Sequence, residues 1–295
     1  MSIDINNRLY TALVTPMFED GSIDWVSFEN LLRIQEYQGC GILILGSTGE
    51  ALALDFDEQC EVVRFVTNLN LNVPVMVGVG GFQLTKQLQW IEFCQTQRVD
   101  CFLVVTPLYA KPGSASQTSW FKTVLDRAER PCMLYNVPSR TGVNLAEEVL
   151  TSLKDHPNLW ALKEASGDIQ RCARYQELAP NLVIYSGEDG LLPELADIGV
   201  KGLVSVISNV WPEQTKEYVR QSLAHEITLE DKAVWQAATR SCFSVANPIP
   251  VKVWLAHNSV ITTNTLRAPL LADELRDLSL LIGADSLVKD WFSHI

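Results

Sequence analysis

Basic side chains are scarce in this 295-residue chain. Lys and Arg number 23 against 35 Asp and Glu, a formal net charge of -12. An acidic field repels phosphate backbones, which argues against sequence-independent nucleic-acid binding. Histidine is rarer still. The four (His156, His225, His257 and His294) lie far apart, with no H-x-H or H-E-x-x-H spacing, so a histidine-based metal centre is not expected. The seven cysteines, at 40, 60, 94, 101, 132, 172 and 242, are odd in number and contain no C-x-x-C pair. They read as small reduced core residues of a cytoplasmic protein. No apolar run reaches the roughly 18 residues of a membrane span. Met1–Tyr10 has no apolar stretch of the secretory kind. What is abundant is core material: 47% of residues are hydrophobic, which excludes bulk disorder, and the length of 295 fits one large domain or two ordinary ones.

Eight short apolar runs punctuate the chain: Leu9–Thr15, Gly41–Gly46, Val73–Val79, Cys101–Thr106, Cys132–Asn136, Trp160–Glu164, Val183–Gly187 and Gly202–Val206. Near-continuous Val, Ile and Leu fit strands buried on both faces. Helical stripes separate them. Asp24 is placed to cap Trp25, Phe28, Leu31 and Leu32, with Gly39 as the stop. Further stripes are Leu84, Leu88 and Ile91; Trp120, Phe121, Val124 and Leu125; and Ile169, Cys172, Ala173 and Gln176 after Asp168. Eight βα units predict an α/β fold, a closed (β/α)8 TIM barrel over 1–225. A doubly wound open sheet is the rival, but the first strand ends in Val14-Thr15-Pro16-Met17, without G-x-G-x-x-G. Residues 226–295 read as a C-terminal helical appendage, with helices over Leu229–Ala246, Pro250–His257 and Leu266–Leu281.

Lys163 carries the most chemical information. An ammonium within an apolar strand is costly unless paired or neutralised. Burial lowers its pKa, and a neutral amine attacks carbonyls. A lysine salt-bridged inside the barrel is an equal alternative. Tyr135, at another strand end, suits proton transfer, though a rim tyrosine with a satisfied hydroxyl is commoner. Arg140, between Pro138 and Gly142, has the planar fork that grips a carboxylate; a plain surface arginine is again commoner. The turn Gly46-Ser47-Thr48-Gly49-Glu50 offers hydroxyls and backbone N–H groups to an anion, or is an ordinary βα turn. Tyr109 is a loop aromatic. Glu188-Asp189 reads as helix capping rather than metal binding.

Taken in order, these segments resemble the pyruvate-dependent class I aldolases and lyases. The match includes Ala12-Leu13-Val14-Thr15-Pro16, Gly46–Glu50, Tyr135–Gly142, Lys163-Glu164-Ala165-Ser166-Gly167, Ser186-Gly187-Glu188-Asp189, Gly202–Val206 and Asn247-Pro248-Ile249-Pro250-Val251-Lys252. Within the family they are most similar to the branch that condenses pyruvate with L-aspartate 4-semialdehyde on the route to diaminopimelate and lysine. The resemblance supports the barrel and implies a lyase needing no metal or organic cofactor. It implies that Lys163 forms a Schiff base with pyruvate and that Tyr135 moves protons. Ser47 would link Tyr135 to Tyr109, the latter reaching in from a neighbouring subunit of a homotetramer. Thr48 and the backbone of Val204 would hold pyruvate, and Arg140 the semialdehyde carboxylate.

Two departures stand out. Ser47 replaces the usual threonine, which keeps the hydroxyl but loses the methyl that restricts its rotamers. Serine there is also common in sialic acid lyases, although those enzymes and the 2-keto-3-deoxy sugar acid aldolases lack an arginine like Arg140. A non-catalytic keto-acid sensor is the reading from another class. The second departure concerns the positions where lysine-inhibited members carry polar and acidic groups. Here they are Ala51, Leu52, Phe56, Gln59, Phe82, Lys86 and Leu108. A cation at 86 and apolar groups at 82 and 108 oppose a charged ligand, so little inhibition by lysine is expected.

Overall fold

The computed structural model describes residues 4–295; residues 1–3, part of the N-terminal stretch considered above for a signal, lie outside it. Eight parallel strands close on themselves in sequence order: β1 (Leu9–Ala12), β2 (Gly41–Ile44), β3 (Val75–Val79), β4 (Cys101–Val105), β5 (Cys132–Asn136), β6 (Leu159–Glu164), β7 (Val183–Ser186) and β8 (Gly202–Ser205). Each falls within or beside an apolar run identified in the sequence. Pairing of β1 with both β2 and β8 completes the barrel. The open-sheet rival is thereby excluded.

The helices of the barrel are α1 (Trp25–Gln38), α2 (Phe56–Asn68), α3 (Leu84–Gln95), α4 (Ser114–Arg127), α5 (Pro138–Thr141), α6 (Glu147–Leu153), α7 (Ile169–Leu178), α8 (Leu192–Ala196) and α9 (Pro212–Leu223). Local chemistry fixes their ends. The Asp24 carboxylate accepts from the Ser27 N–H, and Gly39 closes α1 at φ 69°. Asp168 caps α7 through the Arg171 N–H. The stripes of α1 and α4 turn inward, with Phe28, Leu31 and Leu32 and Phe121, Val124 and Leu125 buried, whereas in α7 Cys172 is buried and Ile169 is exposed. At the N-terminal end of the barrel, Tyr10 packs edge-on against Tyr185 with ring centroids 6.1 Å apart. Gly41 leaves room for the Tyr10 ring, since a Cβ there would lie 2.6 Å from it.

After the barrel come α10 (Leu229–Cys242), α11 (Ile249–His257) and α12 (Ser279–Ser293). Thr228 and Asp231 form a capping box on α10. Trp235 of α10 stacks on Tyr218 of α9 at 4.3 Å and meets Trp291 of α12 edge-on, fastening this region to the barrel. The helix expected over Leu266–Leu281 is not formed. That stretch is irregular apart from a short turn at Ala272–Glu274, and the helix begins at Ser279. The Arg267 N–H, which a helix would use, donates to Glu50, and its guanidinium holds the segment to the Gly21 carbonyl. Pro269 has no N–H to give. The helix expected over Leu229–Ala246 likewise stops at Cys242. No helix among the described residues is long and apolar enough to cross a membrane.

Candidate active site

At the C-terminal ends of the strands, Tyr135 of β5 and Lys163 of β6 are register partners. Both line one cavity of about 260 Å³. The Lys163 ammonium lies 4.4 Å from the centroid of the Tyr135 ring. Gly187 makes the approach possible, because a Cβ there would sit 2.7 Å from Lys163 Cε. Lys163 is buried, and no carboxylate among the described residues lies within 4.0 Å of its nitrogen. The ion-paired alternative is thus not what the fold contains.

Burial pushes the Lys163 amine down to about 8. The charges of Asp189 and Glu188 oppose that shift, and Arg140 reinforces it. Burial wins because the two acids act at a distance while desolvation acts on the ammonium itself. The same burial raises Asp189 to about 6, against hydrogen bonds donated by the Ser205 hydroxyl and the Val206 N–H. Glu188, which lines the cavity, is also raised, by burial and by Asp189. The Tyr135 hydroxyl is raised by burial above the usual phenol range.

The capping reading of Glu188-Asp189 is corrected here. Glu188 makes no side-chain cap bond, and Asp189 ties the β7 end to the β8 end. Its partners lie 16 and 17 residues on, beyond the reach of local pattern reading.

The Gly46–Glu50 turn forms another wall. Glu50 sits at φ 56°, and its carboxylate accepts from the Lys252 ammonium at 2.7 Å and from the Arg267 N–H at 2.8 Å. Both partners come from the C-terminal region. Lys252 is fully buried, with its pKa lowered by burial and supported by Glu50. In front of that pair, the buried Thr48 hydroxyl accepts from Asn247 Nδ2 at 3.0 Å.

Five of the seven residues named from the sequence therefore meet at one cavity: Lys163, Tyr135, Ser47, Thr48 and Arg140. Two do not. Val204 is buried and is not among the lining residues, whereas Val206 is. Tyr109 is 86% exposed and packs on Phe82, 6.3 Å away, outside the cavity wall. Within this chain the Ser47 hydroxyl has no hydrogen bond to either tyrosine. Asn247, Glu188 and Phe243 also line the cavity; the sequence pattern suggests only capping for Glu188 and no role for the other two. Among the described residues no group of three His, Cys, Asp or Glu is placed to hold a metal ion.

The cavity is continuous with a larger apolar groove of about 1110 Å³ that shares Gly46, Ser47, Tyr135 and Arg140. All seven positions considered for lysine sensitivity, from Ala51 to Leu108, lie along it.

A buried amine without an ion pair, a phenol, two hydroxyls and a guanidinium at the mouth make a site suited to carbonyl condensation on an anionic substrate. Comparison with known proteins agrees. The sequence profile described as the Dihydrodipicolinate synthetase family matches residues 6–279. The 4-hydroxy-tetrahydrodipicolinate synthase of Francisella philomiragia subsp. philomiragia is 92% identical over 295 residues, covering 100% of each chain. The crystal structure of the chloride-inhibited dihydrodipicolinate synthase from Acinetobacter baumannii complexed with pyruvate is 30% identical at a TM-score of 0.86, covering 96% of this chain and 98% of that one. The 4-hydroxy-tetrahydrodipicolinate synthase of Methylacidiphilum fumariolicum SolV is 28% identical at a TM-score of 0.92, covering 98% and 97%.

Proposed function

The chain belongs to the dihydrodipicolinate synthetase family, and from that premise we propose that it condenses pyruvate with L-aspartate 4-semialdehyde to give 4-hydroxy-tetrahydrodipicolinate. The observation that carries this reading is Lys163, an amine buried in a cavity without an ion-pair partner and shifted toward its neutral form. The neutral amine adds to the keto carbon of pyruvate, and loss of water leaves an iminium. That cation draws electrons from the adjacent methyl, which gives up a proton to form an enamine. The enamine carbon attacks the aldehyde, and the substrate amine then displaces Lys163 as the ring closes.

Tyr135, beside the reacting nitrogen, delivers and removes protons. Thr48 donates to the pyruvate carboxylate. The backbone of Val204 helps to hold the pyruvate. Arg140 at the mouth takes the semialdehyde carboxylate bidentately. Ser47 and Tyr109 extend the proton path, with Tyr109 supplied by a second copy of the chain. The exposure of Leu52, Phe56, Phe82 and Tyr109 on one side supports such a pairing. We read the assembly as a homotetramer, a pair of dimers, in the cytoplasm. The seven free buried cysteines suit that compartment. The helical region from 226 completes the site of the barrel that ends at 225.

Borohydride reduction in the presence of pyruvate tests the reading: the reduced adduct is expected on Lys163, and an unmodified Lys163 overturns it. An aldehyde panel then separates aspartate semialdehyde from sugar aldehydes, the alternative that Ser47 favours. Lysine is expected to leave the rate unchanged, because Lys86 and Phe82 line the groove where it would bind. Complete inhibition at submillimolar lysine would refute that.

A further inference from the structure

Asn247 and Thr48 are 199 residues apart in sequence, yet both are buried and they meet at the cavity wall. The amide nitrogen of Asn247 can only donate, so the Thr48 oxygen must accept at that contact. The hydroxyl has one proton, and no acceptor for it is present among the described residues. Repulsion between that proton and the incoming amide N–H turns the hydroxyl away from Asn247, toward the space shared with Lys163. A buried donor without an acceptor calls for a ligand acceptor, and a carboxylate is the strongest candidate.

We propose that Asn247 is a positioning residue: it aims the Thr48 proton at the carboxylate of the keto acid. The proposal rests on the reading of Lys163 as the amine that condenses with pyruvate. The surroundings of Asn247 are rigid enough for this work. Five residues on, Lys252 is locked to Glu50, at the far end of the turn that carries Thr48. The Asn247 amide is thus fixed relative to the turn from both sides. Its own Oδ1 is buried without a donor among the described residues. A side chain kept only for packing gains nothing from an amide at such a position.

The test is a double-mutant cycle with Asn247→Leu and Thr48→Val, read as steady-state constants for both substrates. Asn247→Leu is expected to raise the pyruvate KM about tenfold, the equivalent of one oriented hydrogen bond. kcat should stay within about threefold and the aldehyde KM should hold, since the bond is made equally to bound pyruvate and to later states. In the Thr48→Val background the same substitution should change the pyruvate KM by less than about twofold, because its route of action is gone. A full tenfold rise in that background, or an unchanged pyruvate KM in the single variant, overturns the proposal. Should Asn247→Leu fail to fold, Asn247→Ala carries the same comparison. If the wild-type chain forms no borohydride-trapped adduct, the Schiff-base reading falls and takes this one with it. If it does and the cycle fails, only the role of Asn247 is lost.

Discussion

Lys163 and Lys252 are both buried, at 4% and 0% exposure, and both amines are pushed toward neutrality by burial. Their surroundings differ. Lys252 donates to Glu50 at 2.7 Å, joining the C-terminal helices to the turn above the barrel. Lys163 faces an open cavity with an aromatic ring as its nearest named partner. Burial alone does not distinguish a reactive lysine from a structural one; the missing counter-charge does. The fold tolerates the cost at Lys163 and compensates it at Lys252, which is how a site can be unstable locally within a stable scaffold.

The comparison breaks most visibly if Lys163→Met leaves activity intact. The replacement keeps the volume and removes the nucleophile, so condensation is expected to fall by more than about 10³-fold, with no trapped adduct. The same variant should be more stable by on the order of 2 kcal/mol at neutral pH, since an unpaired buried charge has gone. The sign can be checked against pH. In the fold Lys163 loses its proton near 8, whereas the unfolded lysine holds its proton to about 10.5. The unfolded state therefore binds more protons in that window, wild-type stability rises with pH across it, and the advantage of the variant should shrink. Denaturant melts of both proteins at pH 7 and pH 10 measure this.

Lys252→Met should do the opposite. It strands the Glu50 carboxylate, and the expected loss is about 3–5 kcal/mol by the same melts. Replacing Glu50 as well, with Gln, should recover part of that loss, because the stranded charge disappears. A stability gain in Lys252→Met like that expected of Lys163→Met would show the two lysines to be energetically alike and remove the contrast.

The sequence carried this contrast only in part. The strands were readable because runs such as Cys101-Phe102-Leu103-Val104-Val105 are apolar throughout, as a strand covered on both faces must be. Lys163 was readable for the same reason: a charge in such a run is conspicuous. Whether it had a partner was not, since a partner would come from another strand. The Glu188-Asp189 pair misled because local spacing suggests a helix start, while the donors to Asp189 are Ser205, the last residue of β8, and Val206 just after it. The stretch over Leu266–Leu281 misled because apolar periodicity says nothing of the bonds Arg267 makes to Glu50, Gly21 and Glu58. Asn247 stood within a recognised motif, but its one informative bond spans most of the chain.

The finest test of the contrast is the pH dependence of adduct formation. With Lys163 near 8, about a tenth of the amine is neutral at pH 7 and about nine-tenths at pH 9. The rate of imine formation with pyruvate at limiting concentration should therefore rise roughly tenfold over that range and level off. Asp189 sharpens the expectation. Its negative charge favours the ammonium, so Asp189→Asn, which keeps a hydrogen-bonding side chain at the β8 end, should move the midpoint to lower pH by less than about one unit. Lys252→Met, whose charge is cancelled by Glu50 in the wild-type chain, should leave that midpoint nearly where it was when measured on the folded fraction. A midpoint that moves more with Lys252→Met than with Asp189→Asn would mean that the ion pair, and not the acid beside the cavity, sets the proton affinity of the reactive amine.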